Sequence, residues 1–267
     1  MKTFMELSNL DGRCTLITGA AGGLGQMMSN VLAELGSDLI LVDKLGSGFQ
    51  EQKEYLSQRW GVKIEYWICD LESEQDRAEL ILALKENGRN INILINNAAF
   101  VGSTELLGWA KPFEMQSIQT WRRAIEVNLT AVFDMCQGLL PLLTEAEGAS
   151  IINIASIYGC YGPDWEMYEG TEMGNPAAYG VTKGGLIQFT RWLATTLAPK
   201  VRVNAISPGG IIRSQSTEFI ERYAAKTPLK RMATEEDFCG AIAFLATDLS
   251  RYVTGQNLMI DGGWGVW

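Results

Sequence analysis

Cys14-Thr15-Leu16-Ile17-Thr18-Gly19-Ala20-Ala21-Gly22-Gly23-Leu24-Gly25-Gln26-Met27-Met28 is the stretch that decides the fold. It opens as a short run of β-branched and apolar residues, the composition of a buried strand. It then turns through Gly19, Gly22, Gly23 and Gly25. From there Leu24, Met27, Met28, Val31, Leu32 and Leu35 recur at the i, i+3, i+4, i+7 spacing of an amphipathic helix. Glycines permit a tight turn and a close approach of backbone to a ligand. The helix start offers unpaired N–H groups and a positive dipole end, which suit a pyrophosphate. A glycine turn alone is an ordinary loop as readily as a site. Strand, glycine turn and helix in that order, near the N-terminus, read as a dinucleotide-binding unit.

The pattern continues outward. Further strand-like runs are Leu39–Val42, Ile64–Ile68, Ile91–Ile95, Ile151–Ile154, Val201–Ile206 and Leu258–Ile260. Helical stretches lie between them, the longest at Trp121–Leu142 and Ala178–Leu197. Near-continuous apolar strands alternating with helices predict an α/β fold, doubly wound, with a single parallel sheet and helices on both faces. Neither a linker nor a repeat interrupts residues 1–267, so one domain is expected. Ligands of such sheets sit beyond the carboxyl ends of the strands, and the polar motifs below follow strand ends.

Composition narrows the function. The 267 residues are 47% hydrophobic, ample for a large core, and carry a net charge of −9. That charge disfavours nucleic-acid partners. There is no apolar signal-peptide core at Met1–Arg13 and no continuous apolar run of spanning length, so neither secretion nor membrane insertion is expected. Cys14, Cys69, Cys136, Cys160 and Cys239 are odd in number, scattered and free of any CxxC spacing. Reduced thiols in a cytoplasmic protein are expected, with no metal site.

Asp43 ends the second strand, where an acid can accept hydrogen bonds from the adenosine ribose and repel a 2′-phosphate. The glycine turn holds no Arg or Lys, and only Lys44 dissents, so the reading is NAD over NADP. Asp70 follows the third strand and Asn96-Asn97-Ala98-Ala99 the fourth. Their short polar groups can reach a cofactor or simply cap a turn.

The chain contains no histidine, which excludes a Ser-His-Asp hydrolase and demands another group for proton transfer near neutral pH. Tyr179 and Lys183 stand four apart on a helical stretch, hence on one face. A cation beside a phenol favours the phenolate, so the pair is a candidate general acid/base. Ser156 follows the fifth strand, placed to donate a hydrogen bond to a carbonyl oxygen. Asn128 is polar in an apolar helical context and needs a partner. A structural bond to backbone and a catalytic role are both open to it.

Together these residues resemble the short-chain dehydrogenase/reductase family over nearly the whole chain. Thr18–Gly25 is similar to the family's TGxxxGxG, and Asn96–Ala99 to its NNAG, with Ala99 in place of Gly. Asn128, Ser156, Tyr179 and Lys183 resemble its catalytic tetrad, Ser207-Pro208-Gly209-Gly210 its PG turn, and Thr254-Gly255-Gln256 with Asp261-Gly262-Gly263 its C-terminal signature. The resemblance implies a Rossmann fold of the single-domain branch. It implies that Tyr179 moves the proton and that Lys183 lowers the tyrosine's pKa and holds the nicotinamide ribose. Ser156 would orient the substrate oxygen, and Asn128 a water in a relay with Lys183. The cofactor-binding residues it implies are Gly19, Ala21, Gly23, Leu24, Gly25, Asp43, Asp70, Leu71, Asn97, Ala98, Tyr179, Lys183, Pro208, Gly209 and Ile211.

One departure stands out. Ser156 and Tyr179 are 23 positions apart, more than is usual in the family. The insert, about residues 157–178, is rich in aromatic and acidic residues. Tyr158, Trp165, Tyr168 and Glu169 are its candidate substrate contacts, since rings stack on sugar faces and carboxylates accept hydroxyl hydrogen bonds. Packing under a lid or at a subunit contact is the other reading. The segment and the Asp261-Gly-Gly-Trp264 ending are similar to a subgroup associated with bacterial surface-glycan and flagellin-glycan biosynthesis. Residues 211–232 correspond to the family's substrate lid, with Arg213, Arg222, Lys226, Lys230 and Arg231 available to a phosphate or carboxylate, or simply to solvent. The leading expectation is an NAD-dependent oxidoreductase of a secondary alcohol or ketone, on a sugar or other polyhydroxylated small molecule. A 3-oxoacyl thioester reductase and a non-catalytic dinucleotide sensor are the alternatives. A homo-oligomer, most simply a tetramer, is expected, with Gly184 and Gly185 allowing close helix approach.

Overall fold

The β-branched runs of the sequence become strands of a sheet whose centre is buried on both faces. The computed structural model describes residues 1–44, 48–88, 90–101 and 105–267. Among them lies a seven-stranded sheet formed by β1 (Cys14–Thr18), β2 (Asp38–Asp43), β3 (Ile64–Ile68), β4 (Ile93–Asn96), β5 (Ser150–Ile154), β6 (Arg202–Pro208) and β7 (Asn257–Ile260). Its order is β3-β2-β1-β4-β5-β6-β7 and every pairing is parallel. The inner strands β1, β4 and β5 are buried along their whole length. At the β3 edge, by contrast, Tyr66 and Ile68 are exposed.

The helices are α1 (Phe4–Ser8), α2 (Gly23–Glu34), α3 (Phe49–Trp60), α4 (Glu74–Glu86), α5 (Ile118–Ile125), α6 (Ala131–Glu145), α7 (Ala177–Leu197), α8 (Thr217–Lys226) and α9 (Cys239–Ala246). On one sheet face Leu80 and Leu84 of α4, Met135 and Leu139 of α6, and Leu186 and Leu193 of α7 pack into one core. On the other, Met28 and Leu32 of α2, Phe49 and Leu56 of α3, and Ile242 and Leu245 of α9 form a second. Both faces are thus covered, as parallel sheets require, and the doubly wound α/β arrangement expected from the sequence is present.

The strand order reverses between β1 and β4, and the crevice at that switch point is where such sheets bind ligands. Two glycines shape it. Gly19 has φ +65°, and a Cβ there would lie 2.8 Å from the Ala98 Cα, so the turns after β1 and β4 touch backbone to backbone. At Gly25 a Cβ would overlap the Gly19 carbonyl oxygen, so α2 begins hard against its own turn.

The stretch Trp121–Leu142, expected as one long helix, is helical but not uniform. A π-turn, Glu126–Thr130, separates α5 from α6 and carries Asn128. The combined helix Ile118–Glu145 is long and apolar enough to cross a membrane by length and composition, although no continuous apolar run announces it. In this fold Val132, Met135, Cys136, Leu139 and Leu143 of that helix are buried in the core beside the sheet.

Candidate active site

The glycine turn is pinned from β4. Thr18 Oγ1 accepts from the backbone N–H groups of Asn97 and Ala98, each at 3.1 Å. Asn97 Nδ2 donates to the carbonyls of Thr18 (3.0 Å) and Gly19 (2.9 Å). Asp43 at the end of β2 completes the cradle, its Oδ2 accepting from Ala21 N at 3.0 Å and its Oδ1 from Lys44 N at 2.8 Å. A cavity of about 330 Å³ opens over this assembly, lined by Gly19, Gly23, Leu24, Gly25, Asp43, Asp70, Leu71, Asn97 and Ala98 among others. Its lining brings the glycine turn and the start of α2 together with the fixed Asp43 carboxylate, groups that fit a dinucleotide. Ala21, expected at the site, contributes its N–H to Asp43 and does not line the cavity.

Leu24, Asn97, Ala99 and Val101 also line a second cavity of about 490 Å³, where Ser156, Tyr179, Lys183, Pro208, Gly209 and Ile211 meet. β5 delivers Ser156 at its carboxyl end, and the first turns of α7 deliver Tyr179 and Lys183. Lys183 is only 3% exposed and donates to the Ile154 carbonyl at 2.6 Å. Its ammonium lies 5.8 Å from the Tyr179 ring centroid. Burial pulls its pKa down to about 8.

The tyrosine departs from expectation. Burial of its hydroxyl raises the phenol's pKa, and the Ser156 hydrogen bond, which favours the phenolate, does not reverse this. Desolvation is the larger effect, and the nearby Tyr168 adds to it, so the fold favours the phenol over the phenolate.

Asn128 makes the structural bonds open to it. Its Oδ1 accepts from Phe100 N at 2.6 Å, and its Nδ2 donates to Phe100 O at 3.3 Å and to Thr182 Oγ1 at 3.1 Å. It ties the loop after β4 to the helix carrying Tyr179 and Lys183. The π-turn that holds it is a device frequent at functional sites.

The insert divides. Tyr158 and Tyr168 line the catalytic cavity with their hydroxyls 2.6 Å apart, and Asn175 Nδ2 donates to the Tyr168 hydroxyl at 3.4 Å. Trp165 and Glu169, expected there too, are not among the residues that line it. Trp165 is 59% exposed, and Glu169 gives only its backbone carbonyl, which accepts from Arg222 at 2.5 Å. The physical reason is that side chains of residues 219–232 hold the insert. Lys226 pairs with Asp164 and Glu166, Tyr168 packs on Phe219 of α8, and Met167, Phe219, Tyr223 and Met232 form a small core of their own. Asp164 and Glu166 thus face Lys226, and no acid of the insert lines the cavity.

The remaining lid cations are engaged likewise. Arg231 pairs with Asp237 (2.6 Å), Lys230 donates to Ala225 O (2.8 Å), and Arg213 pairs with Glu235 (2.7 Å). Among the described residues Lys183 is the one charged side chain lining the catalytic cavity. Trp109, Met173, Asn175 and Gln215 also line it and were not singled out from sequence. Asn175-Pro176 immediately before α7 was the available signal, because the residues opening the helix that carries Tyr179 must lie near its hydroxyl.

Gly184 and Gly185 allow close approaches within the chain. A Cβ on Gly184 would meet Gly159 O at 3.2 Å, and one on Gly185 would meet Leu129 at 3.2 Å, both within the chain. All five cysteines carry free thiols.

Fold and site define a nicotinamide-dinucleotide-binding oxidoreductase of the doubly wound α/β class. A family model described as enoyl-(acyl carrier protein) reductase matches residues 19–265. The chain is 30% identical over 264 residues to a 3-oxoacyl-(acyl-carrier-protein) reductase of Aquifex aeolicus, covering 97% of this chain and 99% of that one. It is 28% identical over 259 residues to the post-translational flagellin modification protein A of Campylobacter coli, covering 96% and 100%. A crystal structure of a short-chain dehydrogenase from Leptospira borgpetersenii with bound NAD+ superposes with a TM-score of 0.84 at 34% identity, covering 99% of this chain and 96% of that one. The chain belongs to the short-chain dehydrogenase/reductase family.

Proposed function

We propose that this one-domain chain is an NAD-dependent oxidoreductase that interconverts a secondary alcohol and a ketone on an uncharged, polyhydroxylated small molecule. The observation carrying it is the convergence of Ser156, Tyr179 and Lys183 on one cavity that continues into the dinucleotide crevice. When bound, the dinucleotide supplies or accepts the hydride, and the protein supplies orientation and the proton. In the reductive direction the neutral Tyr179 hydroxyl gives its proton to the substrate oxygen. In the oxidative direction the phenolate takes it back. Ser156 Oγ donates to the same oxygen. Lys183 keeps a positive charge beside the phenol and offers donors to the cofactor's ribose. Asn128 holds α7 in register with the loop after β4, and its part in a water relay belongs to this proposal.

Asp43 supports NAD, because its carboxylate is held by two backbone N–H groups at the cavity's adenosine end, where a 2′-phosphate would meet a fixed negative charge. Asp43→Ala should narrow the preference. Tighter binding of NADP than of NAD by the unmodified protein would refute this part.

The cavity supports the substrate class. An anionic substrate would be desolvated there without a free cation, an unfavourable exchange. Tyr158, Tyr168, Asn175 and Gln215 offer neutral hydroxyl and amide groups, and Trp109 an aromatic wall. The likeness to a flagellin modification protein adds to the case for a glycan building block. The likeness to a 3-oxoacyl-(acyl-carrier-protein) reductase favours a second reading, a thioester reductase. No acid of the insert lines the cavity, which is compatible with an acyl chain as well. Turnover of neutral cyclic polyols and ketoses, aldonates and an acetoacetyl thioester, each with NAD(H) and NADP(H), separates the two. A cytoplasmic homotetramer completes the proposal. Val181 and Trp192 of α7 and Phe133 of α6 are exposed apolar side chains that a subunit contact would cover, and light scattering tests it.

A further inference from the structure

We propose that Arg213 binds the pyrophosphate of the dinucleotide and thereby fastens the lid to the cofactor, with Glu235 holding the guanidinium in place. The inference rests on the reading of the glycine turn as the dinucleotide site and assigns a lid residue to it. Arg213 belongs to the 211–232 segment, yet it lines the cofactor cavity together with Gly19, Gly22 and Gly23 and not the catalytic one. Its Nη2 lies 3.1 Å from where a Cβ on Gly23 would sit. Gly23 is the first residue of α2, so the guanidinium stands over the helix start whose N–H groups face an anion.

The side chain is aimed, not loose. Nη1 pairs with Glu235 at 2.7 Å and donates to Ile212 O at 2.8 Å. The backbone N–H donates to Gln215 Oε1 at 2.5 Å, and the neighbouring Ile212 N–H to Ala233 O at 2.9 Å. Both fixed contacts use Nη1, which leaves Nη2 directed at the turn. Glu235 lines a surface hollow with Met27, Asn30 and Val31, and its carboxylate also reaches the Gly23 position, Oε1 lying 2.5 Å from where a Cβ would sit. It holds the guanidinium at the helix start.

Charge gives the reason for such a residue. The cofactor cavity is lined by Asp43, Asp70 and Glu72, against Lys44 and Arg213 as its cations. Lys44 sits beside Asp43, at the ribose end. A pyrophosphate at the helix start meets backbone dipoles and the Arg213 guanidinium, whose planar fork matches phosphate oxygens and whose charge offsets the Glu235 carboxylate paired to it. Because that guanidinium is carried by the lid, cofactor occupancy and lid position are coupled.

The test is binding, read by calorimetry without turnover, of NAD, ADP-ribose and adenosine to the unmodified chain and to Arg213→Ala. ADP-ribose keeps the pyrophosphate and lacks nicotinamide, and adenosine lacks both. The expected result is a loss of about tenfold or more in affinity for NAD and ADP-ribose, the range of a charge-assisted hydrogen bond, with adenosine within about twofold. The affinity of the variant for ADP-ribose should also fall less steeply with salt. Unchanged ADP-ribose affinity in Arg213→Ala overturns the inference alone, as does an equal loss for adenosine. Failure of the unmodified chain to bind ADP-ribose overturns both it and the dinucleotide reading.

Discussion

Replacing Lys183 by Met should remove activity and yet leave the protein at least as stable at neutral pH. The ammonium is 3% exposed, and burial lowers its pKa from 10.5 to about 8. At about 1.4 kcal/mol per unit, keeping it charged inside the fold costs roughly 3 kcal/mol. Against this stands its hydrogen bond to Ile154 O at 2.6 Å, whose loss leaves a buried carbonyl unpaired at a cost of about 1–3 kcal/mol. Met retains most of the volume, so cavity formation adds little. The variant should lie between equal stability and about 2 kcal/mol of added stability at pH 7. The pH dependence is the sharper signature. A folded pKa below the unfolded one means that the unfolded chain binds more protons between about pH 8 and 10.5, so this group's contribution to stability rises with pH across that window. The unmodified protein should gain on Lys183→Met by roughly 3 kcal/mol from one end to the other. Urea unfolding of both proteins across the window measures the gap. A gap that stays constant with pH would refute the reasoning, because the ammonium would then carry no burial penalty.

Arg77, 2% exposed, joins Glu126 of the π-turn, Asp134 of α6 and the Leu71 carbonyl at the cofactor cavity. Arg77→Ala should destabilise by about 3 kcal/mol, the lower end for a broken buried pair because the two acids are partly solvated, and a thermal shift indistinguishable from the unmodified protein would contradict it. Trp165→Ala should leave the substrate KM unchanged, whereas Tyr168→Phe, which removes one hydroxyl of the Tyr158–Tyr168–Asn175 chain, should raise it several-fold. A raised KM for Trp165→Ala at unchanged melting temperature would restore Trp165 to the substrate site.

The sheet and the glycine turn were legible because they depend on local pattern. β1 is five apolar or β-branched residues, and Gly25 is demanded by backbone contact within seven positions. The tetrad was legible as residue types at fixed spacing. What sequence could not show is which way a long segment folds back. The aromatic-acid composition of residues 157–178 pointed Trp165 and Glu169 at the substrate, but Lys226 and Arg222 on α8, more than fifty positions away, draw that segment onto the lid. Nor does spacing reveal desolvation. Tyr179 and Lys183 share a helix face as expected, yet burial raises the phenol's pKa where the neighbouring cation alone would lower it. The π-turn at Asn128 likewise follows from tertiary contacts to Phe100 and Thr182, not from any break in the apolar pattern.

The central claim is that Tyr179 carries the proton, and the most direct test is turnover of the best neutral polyol or ketose with NAD(H) by Tyr179→Phe, with NAD affinity measured on the same sample. The exchange keeps the ring and removes the one hydroxyl that Ser156 orients. The account predicts a fall in kcat of roughly 10²–10⁴-fold, typical of losing a general acid/base, with NAD affinity little changed. Near-normal turnover by the phenylalanine variant would contradict it.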